Sequence, residues 1–285
     1  MDENLIIENR ILKGYKEKLI QTVNIPEGVS AIAENAFADF PNLYSIDFPK
    51  SLVIIGDGAF RNCPKLKSID LENIVTLGAE AFLGCTALQG VTFGNKLTYL
   101  PNAVFLGCTS LDNIELPENV TYIGCECFRD CTSVSVITFD GIMEIDNNAF
   151  EGCDSLCNIV IPKTTLHISP DTFSFCQKLD TVKIENRFID IDEKAFENSV
   201  NFTIHSSQNS AAHRYAKNNR YRFHPAIIEN DYRTVTQAEM EKIAQSGIMF
   251  LAKKAENDKD EFVIKYDRSA NERINNLIGV KKNVQ

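Results

Sequence analysis

Nine cysteines and four histidines are the residues of this 285-residue chain with the widest chemical reach. Thiolates can act as nucleophiles, redox groups or metal ligands. Six of the thiols, Cys63, Cys85, Cys108, Cys131, Cys153 and Cys176, recur every 22 or 23 residues. A disulfide framework has no such period, and an odd number of cysteines cannot all pair within one chain. The spacing gives each of the six one equivalent slot per repeat, filled as a small buried hydrophobe. Cys125, Cys127 and Cys157 fall outside the series. Cys125-Glu126-Cys127 with Cys131 is the only grouping that resembles a zinc site. It lacks paired CxxC knuckles and CxxC…HxxxH spacing, so no metal and no cofactor is expected. A regulatory thiol site at Cys125, Cys127 and Cys157 stays open as a chemical reading. His205, His213 and His224 lie near the end of the periodic region and read as surface or capping residues, and His167 falls in an exposed column. GxSxG, HExxH, GxxxxGK[ST] and GxGxxG are all absent, so the chain reads as a non-enzyme. A Cys–His nucleophile pair, which need not be local in the chain, is left undecided by sequence. Asn119-Val120-Thr121 and Asn201-Phe202-Thr203 match the glycosylation sequon by chance, on strand-like segments.

The elements that hold these residues follow from a repeat. Phe37, Phe60, Phe82, Phe105, Phe128, Phe150, Phe173 and Phe196 are spaced by 22 or 23 residues. Five residues before each stands an aliphatic, from Ile32 and Ile55 to Ile168 and Ile191; six, nine and eleven after stand further apolar columns. Each unit reads LxxIxFPxxVxxIxxxAFxxC. The IxF segment alternates with period two and predicts a short strand, ended by Pro49, Pro117 or Pro162 where proline follows. VxxI predicts a second extended segment, and AFxxCxxL a helical or 3₁₀ turn. A single coil cannot bury so many apolar positions, but stacked coils can. Eight coils at the inter-strand spacing would make a rod or arc on the order of 40 Å long.

This pattern resembles the leucine-rich repeats of the BspA type over roughly residues 23–205. The flanks are also similar to that family: Ile7 to Tyr15 resembles its N-terminal cap hairpin, and Phe202 to His205 followed by Ser210 to Asn218 its C-terminal cap. The expected fold is thus a β-rich α/β solenoid, a right-handed leucine-rich-repeat superhelix of about eight coils. Residues 1–22 would form the N-terminal cap, 23–205 the solenoid and 206–224 the C-terminal cap. The last coil, from Phe196 to its closing strand, reads about three residues short. The resemblance implies an interaction role, since such proteins are often exported and bind host, matrix or partner-cell proteins.

On each IxF strand the residue between the apolar positions must point outward. That column is Asp47, Asp70, Thr92, Glu115, Thr138, Val160 and Lys183, and it is the candidate interaction surface. The column two residues earlier, Ser45, Ser68, Gly90, Asn113, Val136, Asn158 and Thr181, is small and mostly polar, leaving the face open to a partner. A second outward column on the VxxI segments brings Tyr99 beside Tyr122, an aromatic pair of the kind enriched at interfaces. The partner expected is a protein. Clustered cations for nucleic acid are lacking at a net charge of -10. No run of 18 apolar residues spans a membrane, and the acidic start Met1-Asp2-Glu3-Asn4 does not read as a signal peptide. Localisation is then cytoplasmic by default, with surface or secreted placement suggested only by the family resemblance.

Residues 225–285 leave the period and balance ten acidic against ten basic residues. Thr236-Gln237-Ala238-Glu239 predicts a capping box, followed by a helical stripe of Met240, Ile243, Ala244, Gly247, Ile248 and Leu251. Phe262 to Tyr266 suits a strand, and Ile274, Leu277 and Ile278 a last short helix. The expectation is an α-rich C-terminal extension. The alternative function is an intracellular scaffold or targeting module whose tail carries an effector activity.

Overall fold

The structure is a computed structural model that describes residues 2–226, 232–245, 250–254 and 261–266. The chain divides into two units, Met1–Ile227 and Ile228–Gln285.

The first unit is a β-solenoid of about nine turns. Each coil contributes a long strand, a short strand and a turn. Long strands such as Ser68–Leu71 and Gly90–Phe93, or Asn158–Ile161 and Thr181–Ile184, pair in parallel with the equivalent strand one coil on. The two-residue short strands, from Ala31–Ile32 to Asp190–Ile191, also stack in parallel. Leu100, Ile123, Ile145 and Ile168 follow one another in register along that stack, all buried. The sheets are interrupted, however: the short strands break between Thr76–Leu77 and Tyr99–Leu100, and the long strands into groups of two to four.

The turn column has no such break, and it is not helical. Residues two before and two after each phenylalanine from Phe37 to Phe173 take left-handed backbone conformations, as in Asn35 and Asp39, Glu80 and Gly84, or Glu126 and Asp130; around Phe196 only Asn198 does. Alternating handedness turns the N–H groups of those residues and of the phenylalanine out of the coil. They donate to carbonyls of the next coil instead of closing a helical turn. Phe37 donates to Ala59, Phe60 to Ala81, Phe82 to Val104, and the series continues to Phe173 and Ala195. Glycine, Asn and Asp hold most of the left-handed positions because their local strain is lowest.

Inside the turn column the eight phenylalanines form one stack. Successive ring centres lie 5.1–5.6 Å apart with planes within 16° of parallel. All eight are fully buried, each worth roughly 1.5–3 kcal/mol relative to exposure. The periodic cysteines lie beside the stack, and they are more than hydrophobes. Each thiol donates to the carbonyl of the phenylalanine in the preceding coil: Cys63 to Phe37 and Cys85 to Phe60 at 3.1 Å, Cys108 to Phe82 and Cys131 to Phe105 at 3.2 Å, and Cys153 to Phe128 and Cys176 to Phe150 at 3.3 Å. In the eighth coil Ser199 takes the slot and donates to Phe173 at 2.6 Å.

Both ends are closed. Leu5–Glu8 and Ile11–Tyr15 form an antiparallel hairpin whose second strand joins Ala31–Ile32 in parallel. At the other end Thr203–Ser206 is followed by the helix Ala211–Asn219. Ser210 caps that helix by accepting from the His213 N–H, and Arg220 ends it in the left-handed region. The chain then adds Arg222–Pro225 as a last parallel strand. The closing coil is one residue short rather than three: Ile204, eight after Phe196, pairs with Val182, nine after Phe173.

The described residues of the second unit support the expected α-rich extension only weakly, since they hold more strand than helix. Its described residues form a three-stranded antiparallel sheet in the order Tyr232–Thr236, Glu261–Tyr266, Phe250–Lys254, with one helix, Gln237–Gln245. The capping box forms, since the Thr236 N–H donates to Glu239 at 2.8 Å and the Glu239 N–H to the Thr236 hydroxyl at 3.3 Å. Gly247 lies outside the described residues, and Leu251 belongs to a strand rather than to the helical stripe. The helix expected at Ile274–Ile278 lies outside the described residues.

Candidate functional site

The long strands set one face of the solenoid. Alternation sends Ile46, Ile69, Ile114, Ile137, Ile159 and Val182 into the core, so their neighbours face out. Asp47, Asp70, Thr92, Glu115, Thr138 and Val160 are exposed and Lys183 is half-buried. Parallel register places Asp70 beside Thr92, Glu115 beside Thr138, and Val160 beside Lys183. These residues therefore share one face, with Lys183 tied to Glu185 by an ion pair of 2.6 Å. Tyr99 and Tyr122 are brought side by side, but on the short-strand sheet and not with the other seven. Tyr99 is exposed, whereas the Tyr122 hydroxyl donates to Asp146 at 2.7 Å. Burial, then that contact, holds the Tyr122 hydroxyl well above its ordinary ionisation range.

The long-strand face also carries a groove of about 870 Å³. Hydroxyl and amide side chains dominate its lining, Ser68, Ser110, Ser133, Ser135 and Ser155 with Gln89 and Asn113, beside the charged Asp112 and Lys178. Of the candidate column only Thr92 reaches it. Gly90 opens its floor, because a Cβ there would meet nothing within 4 Å. Ser110, Ser133 and Ser155 stand just before the buried Leu111, Val134 and Leu156, three residues ahead of each long strand. Their recurrence at 23 and 22 residues, Ser110, Ser133, Ser155, was a sequence signal that the outward strand columns alone do not contain. The turn face differs: cross-coil ion pairs join Arg61 to Glu80 at 3.2 Å and Arg129 to Glu151 at 3.1 Å, over a backbone ladder that is already complete.

The thiols outside the series do not assemble. Cys127 is buried in the core, and burial raises its pKa far above the ordinary range. Cys125 is half-buried; burial, then the neighbouring carboxylates of Glu126 and Asp146, raise its pKa as well. Cys157 sits apart from both, half-buried on the groove wall, its thiol 3.3 Å from the Ser155 carbonyl. Among the described residues no group of three or more His, Cys, Asp and Glu is placed to hold a metal ion. His167 faces Asp190 one coil on at 3.0 Å, and His213 stacks on Phe223. His205 and His224 are neighbours on adjacent strands. Among the described residues no helix is long and apolar enough to cross a membrane.

Comparison with known proteins identifies this architecture. The profile of the BspA type leucine rich repeat region matches residues 12–134 and 98–213. No curated protein sequence matches the chain. A leucine-rich repeat protein from Bacteroides ovatus superposes with a TM-score of 0.57 at 23% identity, over 71% of this chain and 62% of that one. The chain thus spans less than two thirds of that relative. The leucine-rich repeat protein of T. pallidum is 30% identical, with a TM-score of 0.55 over 59% of this chain and 82% of that one. A leucine rich cell surface protein from Faecalibacterium prausnitzii shares the fold at 16% identity and a TM-score of 0.51, over 79% of this chain and 94% of that one. From its repeat and its matched profile, the chain belongs to the BspA-type leucine-rich repeat family.

Proposed function

We propose that this protein is a non-enzymatic binding module that takes a protein partner on the long-strand face, centred on the serine-lined groove. The observation that carries the reading is the contrast between faces. The turn face is closed by a continuous backbone ladder and ion pairs, while the long-strand face leaves a polar groove of about 870 Å³ beside a column of outward side chains. Repeat proteins use such extended surfaces for binding. The groove suits a polar, extended segment, since hydroxyls both donate and accept and adapt to peptide groups. Asp47, Asp70, Glu115, Thr138, Val160 and Lys183 would flank the bound segment, and Tyr99 with Tyr122 would form a separate contact. The cell-surface description of the Faecalibacterium prausnitzii relative favours partners outside the cell.

Cys157 provides the test. It lines the groove, and Cys125 is the other thiol that is not buried. A bound partner should slow maleimide labelling of Cys157 by tenfold or more and leave Cys125 unchanged. Equal rates at Cys157 with and without partner would contradict a groove-centred mode.

A further inference from the structure

We propose that His205 and His224 form a two-imidazole chelate for a divalent transition cation such as Zn²⁺, at the C-terminal end of the long-strand face. The two residues occupy matched positions on adjacent parallel strands, Thr203–Ser206 and Arg222–Pro225. Their ring centres are 5.1 Å apart and their planes lie 32° from parallel. Two imidazoles that each bind one tetrahedral Zn²⁺ through nitrogen at about 2.1 Å have ring centres on the order of 5 Å apart. The spacing in the structure therefore needs side-chain rotation but no movement of the strands. Both residues lie on the outward column, His224 exposed and His205 half-buried, so an ion has access from solvent.

Charge nearby does not oppose the ion. The next residue of the row, Lys183, has its ammonium 2.6 Å from Glu185, which neutralises it. Arg222 lies two residues along the strand from His224, beside Thr203. Two protein ligands leave two coordination positions open. Water would fill them in the free protein, and a carboxylate or imidazole from a bound partner would displace it. The ion would also tie the last strand to the solenoid, stabilising the folded state by linkage.

The test is a Zn²⁺ titration of the full-length chain carrying Cys125→Ser and Cys157→Ser, which removes the accessible thiols. At pH 7.5 we expect one ion per chain by calorimetry and a rise in melting temperature. His224→Ala and His205→Gln should each weaken binding at least tenfold, and His167→Gln should leave it unchanged. Each variant should melt at the parent temperature without metal, which separates loss of the site from loss of the fold. Should the parent bind no ion, or should His224→Ala bind as tightly as the parent, the chelate does not exist. An equal loss in His167→Gln would place the ion at His167 and Asp190 and overturn the assignment.

Discussion

A buried thiol repeated once per coil makes the protein sensitive to alkali. Burial raises every thiol of the series, Cys63 and Cys176 to about 12 and the others further. Unfolded thiols ionise near their ordinary value of 9.0. Below that pH neither state is charged, and the stability is intact. Above it only the unfolded chain gains by ionising, so stability falls as pH rises. Each fully buried thiol contributes about 1.4 kcal/mol per pH unit in that window. Several acting together exceed the roughly 5–15 kcal/mol that holds a domain folded within about two units. The melting temperature should therefore be steady from pH 7 to 8.5 and collapse between pH 9 and 11. A flat profile to pH 11 would mean that the thiols are not buried as described. The period of these residues was plain in the sequence, and so was their burial. Their hydrogen bond to the preceding phenylalanine was not, because a thiol or hydroxyl donates only where folding brings a carbonyl within its reach. Ser199 in the eighth slot was the one hint, since it shares that capacity with Cys.

At the scale of elements, the strands were legible and the turn was not. Alternation in IxF and VxxI gave the two strand columns, since period two leaves a pattern in side chains. AFxxC reads as a helical turn because its left-handed residues are chemically mixed: Asn, Asp and Gly are joined by Glu80, Ala103, Glu126 and Phe175. Phe175 is the extreme case. It holds a φ of 58° while 46% exposed, in the slot that Gly84, Gly107 and Gly152 fill in other coils. A left-handed L-residue costs roughly 1–2 kcal/mol, and the exposed ring returns little. Phe175→Gly should raise the melting temperature by a few degrees, as measured by thermal unfolding. A drop would show that the ring makes contacts that outweigh the strain. In the C-terminal unit the apolar stripe ran on to Leu251 and suggested a helix that reaches it, whereas Leu251 lies in a strand. The periodicity of Met240, Ile243 and Ala244 is real, but a helix and the start of a strand both fit a short apolar run.

At the scale of the whole molecule, eight equivalent coils make a scaffold whose faces differ in what they leave unused. The turn face spends its polar groups on the neighbouring coil, three backbone hydrogen bonds per step. The long-strand face leaves most of its outward column exposed to solvent, although within the groove the Ser135 hydroxyl donates to Asp112 of the preceding coil at 2.7 Å. The outward column was readable from alternation alone. The groove required knowing that the serine preceding each strand and the residues within it line one concavity, which is a property of stacking and not of any single repeat. Gly90 gives direct access to that concavity, because a Cβ added there would meet no atom within 4 Å. The decisive measurement compares partner capture by the full-length chain, by Gly90→Arg and by Lys96→Glu, a charge change in the exposed loop that follows the same strand. Binding that falls at least tenfold in Gly90→Arg, at an unchanged melting temperature, and persists in Lys96→Glu is the predicted result. Full binding by Gly90→Arg would contradict the assignment of the groove as the binding site.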